Sequence, residues 1–184
     1  EKTALQHMIK KGSFQIPDQD HANEQYAYLI DTLTKNGFEH YEISNFAKPA
    51  YRAIHNTSYW QGAKYIGIGP SAHSFDGRTR SWNLANNKKY IDTIAAGKLP
   101  METELLTPAM LYNEYVMTGL RTSWGIDLPH ILAIHLDFGL YFEKNITKHL
   151  ERRLVTAHEG QYILTHEGKF FADQIAMDLF WVED

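Results

Sequence analysis

Two periods of apolar residues alternate along the first half of the chain. After Asp18 and Asp20, Tyr26, Leu29, Ile30 and Leu33 fall at i, i+3, i+4 and i+7 and so share one helical face. Gly37 stops that helix in the left-handed conformation, and Phe38 can fold back on its last turn. The period then shortens to two, and Phe38 to Ser44 reads as a strand. Helix, glycine and strand make half of a βαβ unit. Ligands in α/β folds gather at the carboxyl ends of such strands, which here is Ser44-Asn45-Phe46. Residues 45–63 show no period, contain Pro49 and read as a long loop, a kind of segment that is often functional. Lys64 to Pro70 reads as a second strand running into Gly67 and Gly69. Ser71 to Phe75 and Arg78 to Trp82 then flank Asp76-Gly77, a hairpin signal. Asn87 is placed to cap a helix through Tyr90, Ile91 and Ile94 that Gly97 ends.

Leu99-Pro100 looks like a break. Beyond it, Thr107-Pro108 starts a helix with an N-cap and a proline at the first position, and Leu111 and Tyr115 are expected on its inner face. A short helix near 128–135 follows, with Asp127 as its cap, and Gly139 marks a turn. A longer helix near 140–152 carries Phe142, Ile146 and Leu150 on one stripe. Leu154 to Ala157 and Tyr162 to Thr165 flank a His158-Glu-Gly160 turn and form a hairpin. Thr165 caps a last helix with Phe171, Ile175 and Leu179 at i, i+4 and i+8. Three helices, a hairpin and a helix make a winged-helix-like module. The expected organisation is residues 1–105 as one unit and 106–184 as a second.

Composition adds exclusions. Hydrophobic residues are 43% and charged residues 22% of 184, an ordinary globular balance that supports a core without staples. There is no cysteine, so this chain holds no disulfide, zinc–thiolate site or thiolate-ligated cluster. The apolar runs are short, so no membrane span is expected, although peripheral membrane contact stays open. No basic, apolar, small-residue leader opens the chain, and a cytoplasmic protein is the expectation. The opening Glu1-Lys-Thr-Ala-Leu, without Met or cap, suggests a piece of something longer. Residues 1–106 carry 12 Lys and Arg against 11 Asp and Glu, a balance of +1, whereas residues 107–184 carry 6 against 11, a balance of -5. A winged helix could read DNA. Here Lys144, Lys148, Arg152 and Arg153 are offset by Asp127, Asp137, Glu143 and Glu151, so no nucleic-acid partner is expected.

Three constellations carry candidate chemistry. Gly67-x-Gly69 is not a dinucleotide fingerprint, because no third glycine and no helix follow it. Its glycines let backbone lie against either a flat ligand or a neighbouring strand. On the strand 38–44, Glu42 and His40 share a face while Glu39 and Tyr41 share the other, and no nucleophile accompanies them, so a hydrolase is unsupported. His55 and Asn56, with Tyr59 and Trp60 downstream, form the third. A neutral imidazole can ligate iron and the rings can stack on a planar macrocycle. Equally, His55 and Asn56 can hydrogen-bond the loop while Tyr59 and Trp60 fill a core. His73, on a strand after the glycines, reads as a hydrogen-bonded edge residue.

Two long segments, GFEHYEISNFAKP and HNTSYWQGAKYIGIGPSAHS, resemble the C-terminal half of the HemW heme chaperones. That family is related to the oxygen-independent coproporphyrinogen III oxidases within the radical S-adenosylmethionine (SAM) superfamily. LTPAMLYNEYVMTGLRTSWGIDL and ILTHEGKFFADQIAMDLF look like its C-terminal domain, so the resemblance covers essentially the whole chain. It implies an α/β fold, with residues 1–105 as the last strands and helix of a partial TIM-like barrel and 106–184 as the winged-helix-like domain. It implies heme binding through the HNxxYW residues His55, Asn56, Tyr59 and Trp60, with His55 as candidate iron ligand. Ser71, Ala72 and His73 would edge the cavity for SAM or substrate. The family's SAM and four-iron-four-sulfur cluster are held by a CxxxCxxC part that this chain lacks, so alone it should be inactive. The implied partners are heme, acceptor hemoproteins and that radical-SAM part. The oxidases resemble His-Asn-Phe-Gln where this chain has His55-Asn56-Thr57-Ser58, and carry Ile at the position of His73. Those oxidase residues help hold a second SAM, so the departures speak against coproporphyrinogen III oxidation, which stays as the alternative activity.

Overall fold

A computed structural model describes residues 3–14 and 18–182. The chain opens with α1 (Ala4–Lys10), capped by Thr3, whose hydroxyl accepts from the Gln6 amide; the expected absence of a cap is corrected. Helix α2 (Gln19–Lys35) begins at Asp18, which accepts from the His21 amide at 2.8 Å. It ends as expected at Gly37, whose φ is 78°. The Phe38 amide returns to Leu33 O at 3.1 Å and the Gly37 amide to Thr34 O at 3.0 Å, the paired bonds of a Schellman cap. Ile30 is buried on the inner face, while Leu29 is exposed.

Strand β1 (Glu39–Glu42) runs antiparallel to β2 (Asn45–Ala47) rather than into a parallel crossover. The reason is the buried Glu42 carboxylate. It accepts from the Ser44 amide at 3.2 Å and from the Asn45 side chain, which closes a tight turn. A register shift between His40 and Glu42 breaks the strict alternation, so Tyr41 and Glu42 are both buried. The expected loop 45–63 therefore holds β2 and a helix, α3 (Ile54–Trp60). The expected strand 64–70 is not a strand. Only Tyr65 bridges Phe75, and side chains replace the ladder elsewhere. The Gly67 amide donates to Ser74 Oγ at 2.9 Å, Asn83 donates to the Gly69 carbonyl at 2.9 Å, and the Gly69 amide donates to the Tyr90 hydroxyl at 3.2 Å. A Cβ on Gly67 would lie 2.1 Å from the His73 carbonyl, so that glycine is there for a neighbouring strand.

The expected hairpin forms from β3 (His73–Phe75) and β4 (Thr79–Asn83), and β5 (Met101–Leu105) adds to it in the order β3-β4-β5. The break at Leu99-Pro100 thus lies before a strand that pairs back with β4. Helix α4 (Asn87–Ala95) is capped by Asn86, one residue earlier than expected, through the Lys89 amide at 2.9 Å.

From Leu106 onward the chain builds a four-helix core with a three-stranded sheet. Helix α5 (Pro108–Leu120) is capped by Thr107. Its buried face is Ala109, Tyr112, Val116 and Leu120, not Leu111 and Tyr115, which are only half-buried on the side facing α3. Strand β6 (Ile126–Asp127) leads into α6 (Leu128–Ile134), with Asp127 at the cap position but making no side-chain bond to it. Helix α7 (Leu136–Glu151) starts earlier than expected and contains Gly139, which marks no turn. A Cβ there would lie 2.3 Å from Leu132, so the glycine lets α6 and α7 approach. Strands β7 (Val155–His158) and β8 (Gln161–Leu164) form the expected hairpin, giving the sheet order β6-β8-β7. Thr165 caps a 3-10 turn, Gly168–Phe171, through the Gly168 amide at 3.0 Å, and α8 (Ala172–Leu179) follows. Ile175 and Leu179 are buried, but Phe171 is exposed because it ends the 3-10 turn. The Tyr112 hydroxyl donates to Leu179 O at 2.8 Å, which ties α5 to the end of α8.

Candidate functional site

The HNTSYW residues form α3 with no side-chain cap at its start, a closed C-terminal end and side chains that pair at helical spacing. The Ser58 hydroxyl donates to Ile54 O at 2.8 Å. At the far end Gly62, with φ 66°, makes a second Schellman cap: its amide reaches Tyr59 O at 3.1 Å and the Ala63 amide reaches Ser58 O at 2.9 Å. His55 and Tyr59 lie at i and i+4, their rings edge to face at 4.8 Å, and Tyr59 is likewise edge-on to Tyr65 at 4.8 Å. The helix presents two sides. Thr57 and Ser58 border a polar cleft with Glu39 and Arg52, which are paired at 2.9 Å. Tyr59 and Trp60 border a larger cavity of about 530 Å³ that reaches across to α5 and α6.

That cavity is lined by aromatic side chains from distant parts of the sequence, among them Tyr65, Phe75, Tyr115 and Trp124. Its wall includes Arg80 and Glu114, paired at 2.6 Å and about one-third exposed. His130 of α6 also lines it, stacked on the Tyr115 ring at 4.1 Å. Trp60 sits under the Arg121 guanidinium, 6.0 Å from its ring centre. Its indole N–H and the Thr57 hydroxyl are buried without a hydrogen-bond partner among the described residues. An unmet buried donor costs about 1–3 kcal/mol, and Trp60 and Thr57 carry theirs three residues apart on one short helix.

The site is anchored to the second unit by the end of β1. The Ile43 amide donates to Arg121 O at 2.8 Å and the Ser123 amide to Tyr41 O at 3.0 Å. The Tyr26 hydroxyl donates to Ile43 O at 2.7 Å, and burial, with the nearby Glu42 charge, pushes its pKa up to about 12. His40 stacks on Phe46 at 4.2 Å, faces the Ile43 carbonyl through Nε2 at 3.1 Å, and meets Lys169 Nζ through Nδ1 at 3.0 Å. The lysine can only donate, so Nδ1 accepts and the proton sits on Nε2. Burial lowers the pKa of both His40 and Lys169. His40 is therefore a structural joint and not a general base.

The structure brings together some of the residues singled out from the sequence and separates others. Tyr59 and Trp60 line the cavity. His55 is exposed and touches it only through Tyr59. Asn56 is half-buried. Ser71 has a positive φ of 61°, the Ala72 carbonyl accepts from the Asn83 amide at 2.9 Å, and His73 sits opposite Trp82 on β4. None of these three lines the cavity. The residues that sequence reasoning missed are His130, Trp124 and the Arg80–Glu114 pair, which no local spacing connects. The helical state of residues 54–60 did have a signal: a glycine two residues after Trp60, as at Gly37 and Gly97 after their helices. Among the described residues no group of three His, Asp or Glu could hold a metal ion, and no helix is long and apolar enough to cross a membrane.

Residues 106–171 match the model of the HemN C-terminal domain. Over this stretch the chain is similar to that domain family. The similarity to curated proteins extends well beyond the HemN C-terminal domain. The chain is 32% identical over 179 residues to the heme chaperone HemW of Bacillus subtilis, covering 95% of this chain and 46% of that protein. It is 30% identical over 178 residues to the heme chaperone HemW of Mycobacterium tuberculosis, covering 96% of this chain and 44% of that one. A mouse relative, radical S-adenosyl methionine domain-containing protein 1, mitochondrial, is 29% identical over 177 residues, 90% of this chain and 39% of its own length. The chain thus spans about half the length of the HemW relatives it matches. Coproporphyrinogen III oxidase (HemN) from Escherichia coli, described as a radical SAM enzyme, shares the fold with a TM-score of 0.67 at 20% identity, over 89% of this chain and 42% of that one. The chain is mixed helix and strand like that neighbour, and its described strands form three small antiparallel sheets and no closed barrel.

Proposed function

We propose that this chain serves the binding of heme and its delivery to acceptor proteins. The observation that carries the reading is the similarity to proteins named heme chaperone HemW over 95% of the chain, with the HNTSYW residues gathered on one short helix at an aromatic cavity. Aromatic walls suit a flat macrocycle, and a neutral imidazole suits its iron. In this reading residues 1–105 and 106–184 act as two units, with α3 in the first and the HemN C-terminal domain in the second. His55 is the candidate iron ligand; both its ring nitrogens are without a hydrogen-bond partner among the described residues, so either can offer a lone pair. Tyr59 orients it, Trp60 packs the macrocycle, and Asn56 supports the helix between them. Ser71, Ala72 and His73 edge a separate surface for SAM or substrate.

A radical-SAM portion, of the kind the mouse relative's name describes, with the cluster that the family resemblance implies, works with this chain in the cytoplasm. The chain has no cysteine to ligate such a cluster itself. Thr57, Ser58 and His73 support the chaperone reading over oxidation of coproporphyrinogen III, because they replace residues that the oxidases are expected to use. The test is heme titration of the full-length protein and its His55→Ala variant. We expect a Soret band on binding that shifts and weakens in the variant. An identical band in both removes His55 as ligand, and product formation from coproporphyrinogen III with SAM and a reductant, without oxygen, favours the oxidase.

A further inference from the structure

We propose that the cavity between α3 and the HemN C-terminal domain is itself the seat of the macrocycle, and that His130 is the imidazole this seat presents to the iron. The inference rests on the heme reading above and adds a second imidazole to its candidate ligand, His55. The cavity's volume of about 530 Å³ lies within the range of small-molecule and cofactor sites. Aromatic residues line it from both sides, Trp60 and Tyr65 on one and Tyr115 and Trp124 on the other. The charged pair in the wall, Arg80 and Glu114, neutralises itself at 2.6 Å and leaves no lone charge to oppose an apolar ring.

His130 is placed as a ligand should be. Its ring is held on Tyr115 at 4.1 Å with an interplanar angle of 28°, so its plane is set by packing. Tyr115 is in turn fixed by the Asp127 amide, which donates to its hydroxyl at 2.9 Å. Neither nitrogen of His130 has a hydrogen-bond partner among the described residues. His55, by contrast, does not line this space; Tyr59 stands between. Both rings are exposed, and of the two only His130 borders the cavity.

The experiment titrates the full-length protein with heme and, separately, with metal-free protoporphyrin IX. Three single variants are compared: His130→Phe, which keeps the stack on Tyr115, Ala63→Trp, which narrows the cavity from an exposed wall position, and His55→Ala. Circular dichroism checks that each is folded. We expect His130→Phe to weaken heme by about tenfold and shift the Soret band while leaving protoporphyrin within about twofold. Ala63→Trp weakens both ligands by about tenfold, and His55→Ala retains a heme band that the double variant with His130→Phe loses. If the wild type binds heme and neither His130→Phe nor Ala63→Trp changes it, the cavity is not the seat, although the heme reading stands. If Ala63→Trp alone acts, His130 is not the ligand. If the wild type takes up neither ligand, the heme reading fails and this inference with it.

Discussion

The parts of this chain before and after Leu106 are stabilised by different means. In the HemN C-terminal domain and the helix end beyond it, apolar burial dominates: Val116, Ile131, Phe142, Ile146, Ile175 and Leu179 are at most 1% exposed and belong to one continuous core. Before Leu106, the buried apolar side chains among the described residues are Ile30, Tyr41, Ala47 and Pro100. There the chain is positioned by polar contacts: Glu42 closes the β1–β2 turn, Asn83 and Tyr90 pin residues 67–69, and backbone bonds at Tyr41 and Ile43 dock β1 on residues 121–123. Ile54, Ile66 and Ile68 meanwhile stay more than four-fifths exposed. The packed part after Leu106 thus serves as the base on which the lightly packed part that carries α3 is fixed by directional bonds. Hydrogen bonds contribute about 1 kcal/mol each and set geometry more than they set stability.

The difference is broken or sharpened most directly in the core. Phe142 is fully buried and meets Tyr162 edge to face at 5.0 Å. Phe142→Ala should cost about 3–5 kcal/mol, from lost transfer energy and the cavity left behind. Urea denaturation followed by circular dichroism measures it. Because β1 depends on the backbone at residues 121–123, both units should unfold in a single shifted transition. A loss below about 1 kcal/mol would mean that the domain core is not what holds the chain.

The same difference explains what could be seen in the sequence. The domain was largely legible: apolar stripes at helical spacing, Thr107-Pro108 and the Glu159-Gly160 turn mark its elements without reference to anything distant. Where the reading of it failed, close packing was the cause. Gly139 looks like a turn, yet it lies inside α7, where an added Cβ would meet the Leu132 side chain of α6. The first unit was less legible, because its conformations depend on single polar side chains. Nothing local says that Glu42 will turn the chain back, or that Ser74 and Asn83 will take the place of a partner strand at Gly67. At the candidate site, the motif residues stand out as His55 to Trp60, but the cavity's other wall comes from Tyr115, Trp124 and His130, more than fifty residues away. That wall is a product of docking and leaves no trace in spacing.

A smaller effect concerns the joint itself. His40 is held neutral between the Ile43 carbonyl and Lys169, with burial as the first cause of its lowered pKa and with Glu42 and His166 also nearby. His149, within the domain, is likewise lowered by burial, next to Lys148, Asp178 and Arg152. A histidine whose folded pKa is depressed binds its proton more readily in the unfolded chain. Its contribution is therefore fully present above pH 6.5, the ordinary imidazole value, and is lost as pH falls toward the folded value. The thermal midpoint should fall between about pH 7.5 and 5.5. Gln at position 40 can donate to one neighbour and accept from the other without titrating, so His40→Gln should fall less over that range. An equal fall in both proteins would place the titration on His149 and leave the joint between the units insensitive to acid.

The smallest effect is expected where the first unit looks most vulnerable. Ile68 is 89% exposed and Ile66 is 85% exposed, on a segment fixed by backbone bonds to Asn83 and Tyr90 rather than by apolar contact. Ile68→Ser in the 184-residue chain should therefore change stability by no more than about 0.5 kcal/mol, as for surface substitutions in general. Its neighbour gives the contrast. Gly67→Ala places a Cβ 2.1 Å from the His73 carbonyl and forces the segment away from β3, so it should cost more than the change at Ile68 although it removes no apolar surface. Denaturation of the two variants side by side decides the matter. If Ile68→Ser proved the more damaging, the segment would be held by apolar cover, and the division between a packed base and a hydrogen-bonded first part would not stand.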